Sequence, residues 1–183
     1  MALGYEKSVA ELQAPNRLYH GTPEWRLEGL LDKGVSVKEA AKFQNGRKIQ
    51  CITSSLEEAI YFTHHVHLMF GGGDRYLGVV QIDPQKLRKR TMEQFEPDEL
   101  NLSSLVTYQS IPPASFDRLL LVDINGTRED MLDQSKELSE KYGISVVTID
   151  YDLATKSFKF KERSKPEKKS SYGIPILGDI QLI

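Results

Sequence analysis

The last third of the chain alternates strand and helix patterns, and this order most constrains the fold. Arg118–Ile124 and Ile144–Tyr151 are apolar and rich in branched side chains, which predicts two strands. Between them, Arg128–Tyr142 repeats apolar residues at helical spacing until Gly143 ends the pattern. Two strands joined in this way usually lie parallel in one sheet. The segment therefore predicts a β-α-β unit.

The rest of the chain predicts more strands and helices in mixed order. The first predicted strand ends at Leu18–Tyr19. Further strands are predicted over Lys48–Thr53, Arg75–Asp83, Leu105–Tyr108 and Tyr172–Ile183. Helices are predicted over Glu24–Lys33, Ser36–Phe43 and Ser54–Phe70. The polar stretch between Pro84 and Leu105 carries no clear periodicity. This arrangement favours an α+β fold.

Composition sets limits on the kind of protein. A chain of 183 residues, 39% apolar and 27% charged, is expected to form a single soluble domain over 1–183. Its net charge of −2 supplies no field that would steer it to nucleic acid or an anionic membrane. Residues 1–16 lack the apolar core of a secretory signal. We expect a cytoplasmic protein with no membrane partner, or one exported into a host cytosol without a cleavable signal.

The segment Tyr19-His20-Gly21-Thr22-Pro23 predicts an imidazole at the end of the first strand, followed by a turn. It combines a titratable ring, a glycine backbone that a flat ligand can approach, and a hydroxyl. An ordinary strand-to-turn junction accounts for these residues equally well. The tripeptide alone leaves both interpretations open.

Two further blocks give this motif a context. Tyr19–Thr22, followed some thirty residues later by Ile52–Ala59 and Phe62, resembles the ADP-ribosyltransferase fold of the diphtheria-toxin-like and poly(ADP-ribose)-polymerase-like type. Ser110–Phe116 and the strand after it are similar to that family's closing segment. The resemblance covers 17–124 and implies a split antiparallel sheet, which 125–183 would extend by a C-terminal strand-helix-strand segment.

The resemblance also implies NAD as the substrate, with no metal. His20 would contact the adenosine-side ribose, the Gly21 backbone would hold the nicotinamide carboxamide, and Thr22 would supply a hydroxyl. The other NAD contacts that we predict are Thr53, Ser54, Tyr61 and Phe62. The implied reaction is transfer of ADP-ribose from NAD to a macromolecule, more readily a protein than a nucleic acid.

The family usually places a catalytic glutamate on the strand before the closing turn. Here Ser103, Ser104 and Thr107 stand on that strand, and Gln109 is the nearest long acceptor. We therefore predict His20 and Gln109 as the catalytic pair of a divergent member, with the upstream acids Glu96, Asp98 and Glu99 as alternatives.

Other functions stay open on the same residues. A catalytically inactive binding module would keep the fold without the reaction, and an RNA 2′-phosphotransferase-like enzyme would use Arg47 and Lys48. His64, His65 and His67 predict no metal site, because only two of them share a helix face. Cys51 is predicted to be a buried structural thiol.

Overall fold

The computed structural model describes residues 16–39, 50–93, 95–98, 101–124 and 128–150, and these form an α+β fold. The strands are β1 (Leu18–Pro23), β2 (Gln50–Thr53), β3 (Tyr76–Ile82), β4 (Phe95–Asp98), β5 (Asn101–Thr107), β6 (Phe116–Asp123) and β7 (Ser145–Asp150). The helices are α1 (Glu24–Lys33), α2 (Leu56–Met69), the short α3 (Lys89–Met92) and α4 (Arg128–Tyr142). None of these helices is both long and apolar enough to cross a membrane.

All seven strands belong to one mixed sheet in the order β4-β5-β2-β1-β3-β6-β7. The last pair, β6 and β7, is parallel and in register from Arg118 opposite Ser145 to Asp123 opposite Asp150. Helix α4 connects the two strands, so the predicted β-α-β unit is confirmed. The other neighbouring strands pair antiparallel.

Strand β1 is longer than its sequence predicts. The turn expected after His20 is wrong, because every residue from Leu18 to Pro23 pairs with β3. Helix α1 then begins directly at Glu24 and ends before Gly34, whose φ of 79° only glycine adopts readily. The pairing with β3 overrides the local preference of Gly-Thr-Pro for a turn.

On its other side, β1 barely pairs with β2. Within the described residues, Tyr19 opposite Thr53 is the one residue pair between them. Strand β2 itself is fully paired with β5, from Gln50 opposite Thr107 to Thr53 opposite Ser104. The sheet therefore opens between β1 and β2 from His20 onward.

Apolar side chains pack on both faces of the sheet. On one face, helices α1 and α4 cover a cluster that includes Leu27, Leu31, Val80, Leu119, Met131 and Leu138. On the opposite face, helix α2 covers a second cluster that includes Tyr19, Leu56, Ile60, Val79 and Leu120. Because side chains alternate along a strand, His20 and Tyr19 are directed to different faces.

The segment after β3 contains structure that the sequence pattern did not reveal. It forms α3, β4 and the first half of β5, so the predicted strand at Leu105 begins four residues earlier, at Asn101. Of the helix predicted over Ser36–Phe43, the structure describes one 3-10 turn at Val37–Glu39, and the remainder lies outside the described residues. The predicted strand Tyr172–Ile183 also lies outside them.

Candidate functional site

His20 lies at the opening between β1 and β2. Its Nδ1 is 2.9 Å from the backbone carbonyl oxygen of Cys51, on the neighbouring strand. The two strands no longer pair at this level, so the imidazole spans the space where a ladder hydrogen bond would otherwise form. The half-buried ring is thereby fixed at the edge of the opening.

The hydrogen bond determines which ring nitrogen carries the proton. A carbonyl oxygen only accepts, so Nδ1 donates and the neutral ring keeps its lone pair on Nε2. Burial lowers the pKa of His20, the bond to Cys51 opposes this shift, and the positive charge of Arg26 adds to it. In its neutral form the ring can accept a hydrogen bond at Nε2, for example from a hydroxyl group of a ribose.

Gly21 lets helix α2 approach the strand. A Cβ atom at this position would overlap Thr63 Oγ1 and would lie 3.0 Å from the carbonyl oxygen of Ala59. Thr63 Oγ1 donates to that same carbonyl at 2.6 Å. The glycine is therefore required for helix packing, whether or not its backbone also contacts a ligand.

The start of α2 carries a hydrogen-bonded group around Thr53. Its hydroxyl donates to Glu58 Oε2 at 2.8 Å and accepts from the amide of Ser55 at 3.0 Å. The Ser55 hydroxyl in turn accepts from the amide of Glu58 at 3.3 Å. This is a capping box in which the Thr53 hydroxyl bonds both the amide of the N-cap residue Ser55 and the carboxylate of Glu58, three residues later.

Sequence reasoning assigned Thr53 to NAD and did not single out Glu58. The signal was present, because Ser55 and Glu58 have the spacing of a capping box before an apolar helix. That spacing predicts a local hydrogen bond, however, and not that the carboxylate is held by the hydroxyl of a buried strand residue.

The other predicted NAD contacts lie on both sides of the opening. Thr22 is buried on the same sheet face as His20, and Ser54 is exposed between β2 and α2. Tyr61 and Phe62 are half-buried, outside the stripe of α2 that faces the sheet, and their rings meet edge-on at 5.5 Å. Tyr61 also stacks on His65, with ring centroids 6.3 Å apart.

The structure does not bring Gln109 to His20. Gln109 follows the end of β5, where its Oε1 is 3.5 Å from Thr91 Oγ1. By the strand register, His20 lies two strands away from Gln109 and about four residues back along the strand direction. The Cα atoms of His20 and Gln109 are therefore roughly 15 Å apart.

The described upstream acids belong to β4, away from His20. Glu96 is exposed on β4, where its Oε2 accepts from the Tyr108 hydroxyl at 3.3 Å. Strand β4 pairs with the side of β5 that faces away from β2. Asp98 ends β4, and Glu99 lies outside the described residues, as do Arg47 and Lys48.

The histidines of α2 take part in a structural contact. His67 Nδ1 lies 2.6 Å from Asp74 Oδ2, and both side chains are buried. Three glycines with positive φ, Gly71–Gly73, carry the chain back so that Asp74 reaches the helix. Burial is the main cause that lowers the pKa of His64, with smaller contributions from His67 and His65. Among the described residues, no three His, Cys, Asp or Glu side chains are placed to hold a metal ion.

Cys51 differs from its prediction. Its side chain is exposed. The interpretation as a buried structural thiol is therefore wrong. The carbonyl group of Cys51, rather than its thiol, makes the contact with His20.

A cavity of about 400 Å³ lies away from this opening, and none of the predicted site residues lines it. Its wall includes Lys86, Asp117 and Tyr142. Asp117 is already paired, since Lys86 Nζ lies 2.5 Å from Oδ1 and Arg17 Nε lies 2.7 Å from Oδ2. The charged groups at this cavity are therefore paired with one another and do not wait for a ligand. For this reason we place the candidate site at the β1–β2 opening.

The chain matches no protein family in the comparison, and no curated protein is significantly similar to it in sequence.

Proposed function

We propose that the protein is an NAD-dependent ADP-ribosyltransferase that binds NAD at the opening between β1 and β2. The observation that carries the proposal is the His20 imidazole, held by the Cys51 carbonyl at the point where the two strands separate. It provides a fixed acceptor beside unpaired strand edges, which suits recognition of ribose hydroxyls and a carboxamide. The single-pair junction also fits a split sheet of the ADP-ribosyltransferase type.

The acceptor of ADP-ribose is proposed to be a protein. The chain has no excess of basic residues that would hold a nucleic acid, with 24 Lys and Arg against 26 Asp and Glu. NAD acts as the substrate in this reaction, and no metal is required for cleavage of its glycosidic bond.

Labelled NAD tests the proposal directly. The purified protein should release nicotinamide and, in a lysate, transfer label to protein. His20→Ala should remove both activities, whereas His64→Ala, on the opposite side of the sheet, should leave them unchanged. Absence of both nicotinamide release and NAD binding in the wild-type protein would refute the proposal.

A non-catalytic binding module is the second candidate, and an exposed apolar cluster favours it. Trp25, Met69 and Phe70 are 59%, 68% and 68% exposed, and the rings of Trp25 and Phe70 meet edge-on at 6.1 Å. Exposed aromatic groups of this kind are common at protein interfaces. Calorimetry separates the two functions, because a module would form a stable protein complex without binding NAD.

A further inference from the structure

We infer that an exposed apolar surface at one end of the molecule docks a segment of a partner protein that carries a large apolar side chain next to a carboxylate. This surface, the Trp25 patch, consists of Trp25, Leu68, Met69 and Phe70, which are all exposed. None of the predicted NAD contacts belongs to it. The inference therefore goes beyond the proposed function and does not depend on NAD.

The patch joins the start of α1 to the end of α2. The rings of Trp25 and Phe70 meet edge-on there, and the guanidinium carbon of Arg26 lies 4.7 Å from the centroid of the Trp25 ring. Tryptophan, phenylalanine, methionine and arginine are enriched at protein interfaces, and tryptophan and arginine are frequent at the positions that contribute most to binding. The composition of the patch therefore favours a protein partner.

Two ion pairs hold the segments that carry the patch. Glu24, at the start of α1, accepts hydrogen bonds from the amide of Arg75 at 2.7 Å and from its Nη2 at 2.6 Å. The buried contact between His67 and Asp74 fixes the end of α2 to the segment before β3. A surface whose backbone is already fixed loses little conformational freedom when it binds. The apolar side chains are thus presented on a preorganised support.

The charges at the patch determine the chemistry of the partner. Glu24 and Glu28, on the same helix, are each paired with a cation of the protein. In the part of the chain that the structure describes, no carboxylate forms an ion pair with Arg26, which stacks on Trp25. An acidic side chain of the partner would complement this charge while its apolar neighbour covers the Trp25 ring.

Two other occupants fit the patch less well. In a two-fold contact with a second copy of the chain, Arg26 would meet a surface whose own uncompensated charge is again Arg26, and like charges repel. An anionic membrane is disfavoured by the net charge of −2 and by Glu28 and Asp32, which are exposed on the same face of α1 as Trp25. A protein segment with a carboxylate avoids the first conflict and needs only a local contact.

Trp25 can report binding, because it is the single tryptophan of the chain. The probe is a library of short random peptides without tryptophan, selected by phage display on the full chain. We expect the selected peptides to share an Asp or Glu next to a large apolar residue and, as synthetic peptides, to shift Trp25 emission to shorter wavelength. Matched peptides with Lys in place of the acid should bind at least about tenfold more weakly.

Phe70→Ala and Arg26→Glu test the apolar and the charged part of the contact. Phe70→Ala should weaken binding of the acidic peptides about tenfold or more in calorimetry. Arg26→Glu should reverse the preference, so that the lysine peptides bind more tightly than the acidic ones, which a mere loss of structure would not produce. Met92→Ala is the matched control and should leave binding unchanged, because Met92 is an exposed apolar side chain on α3, outside the patch.

The inference is wrong if the selected peptides share no acidic residue, or if Phe70→Ala and Met92→Ala affect their binding equally. Sedimentation of the full chain tests the second copy: a dimer that Phe70→Ala dissociates would overturn the inference in favour of self-association. Vesicles of phosphatidylcholine and phosphatidylserine test the membrane: a shift of Trp25 emission to shorter wavelength on their addition would overturn it in favour of a lipid surface.

Discussion

Gly21→Ala tests the packing of helix α2 on strand β1. The new Cβ would overlap Thr63 Oγ1 and lie 2.9 Å from Thr63 Cβ, about 0.5 Å inside an ordinary contact of 3.4 Å. Rotating the threonine away relieves the first overlap but breaks its hydrogen bond to Ala59, which costs about 1 kcal/mol. The second overlap requires the helix to move, at about 1–3 kcal/mol.

The expected loss in the free energy of unfolding is therefore about 2–4 kcal/mol, measured by urea denaturation. For a chain of this length, the melting temperature should fall by roughly 5–10 °C. Gly29→Ala is the matched control, since a Cβ there meets nothing within 4 Å inside helix α1. It should stabilise the protein by about 0.5–1 kcal/mol.

A double variant, Gly21→Ala with Thr63→Ala, should recover part of the loss because the overlapping oxygen is gone. The packing argument is wrong if Gly21→Ala is as stable as Gly29→Ala, or if the double variant shows no recovery. The result also bears on function, because loss of activity in Gly21→Ala cannot be assigned to NAD binding unless the fold is intact.

Three further predictions concern the described side chains. Burial lowers the folded-state pKa of His20 below its ordinary 6.5, so the unfolded chain binds the proton first and stability should fall as the pH drops below about 6.5. His20→Asn should flatten this slope, and an unchanged urea midpoint profile would contradict it. Asp74→Ala removes the buried partner of His67 and should cost about 1–3 kcal/mol in urea denaturation, whereas a change below about 0.5 kcal/mol would show that the contact is not structural. Trp25 is the single tryptophan and is 59% exposed, so the fluorescence emission of the folded protein should resemble that of a solvated indole. Phe70→Ala should alter the emission intensity, because the two rings are in contact. A strongly blue-shifted spectrum would exclude this environment.

Helices with their own stop signals were predictable from the sequence. The bounds Glu24–Lys33 and Arg128–Tyr142 agree with the structure, because each combines an apolar stripe with a glycine of positive φ just beyond its end. The end of β1 was not predictable. Gly-Thr-Pro favours a turn locally, and only the pairing with β3 extends the strand.

The β4–β5 region was missed for a similar reason. Pro97 and the charged residues around it are typical of an edge strand, and they hide the alternation that would identify one. The position of His20 relative to β2 was not predictable either. Its contact with the Cys51 carbonyl depends on how far two strands separate, which no side-chain pattern encodes.

The single residue pair between β1 and β2 affects how the protein opens to solvent. Strands β4, β5 and β2 form a continuous antiparallel group, but in the part of the chain that the structure describes one residue pair joins this group to β1. Units linked by few hydrogen bonds can unfold separately at a lower free energy than the whole molecule. Amide protons of β2 and β5 should therefore exchange faster than those of β3 and β6, and a ligand that bridges the opening should slow exchange in β2 and β5 most.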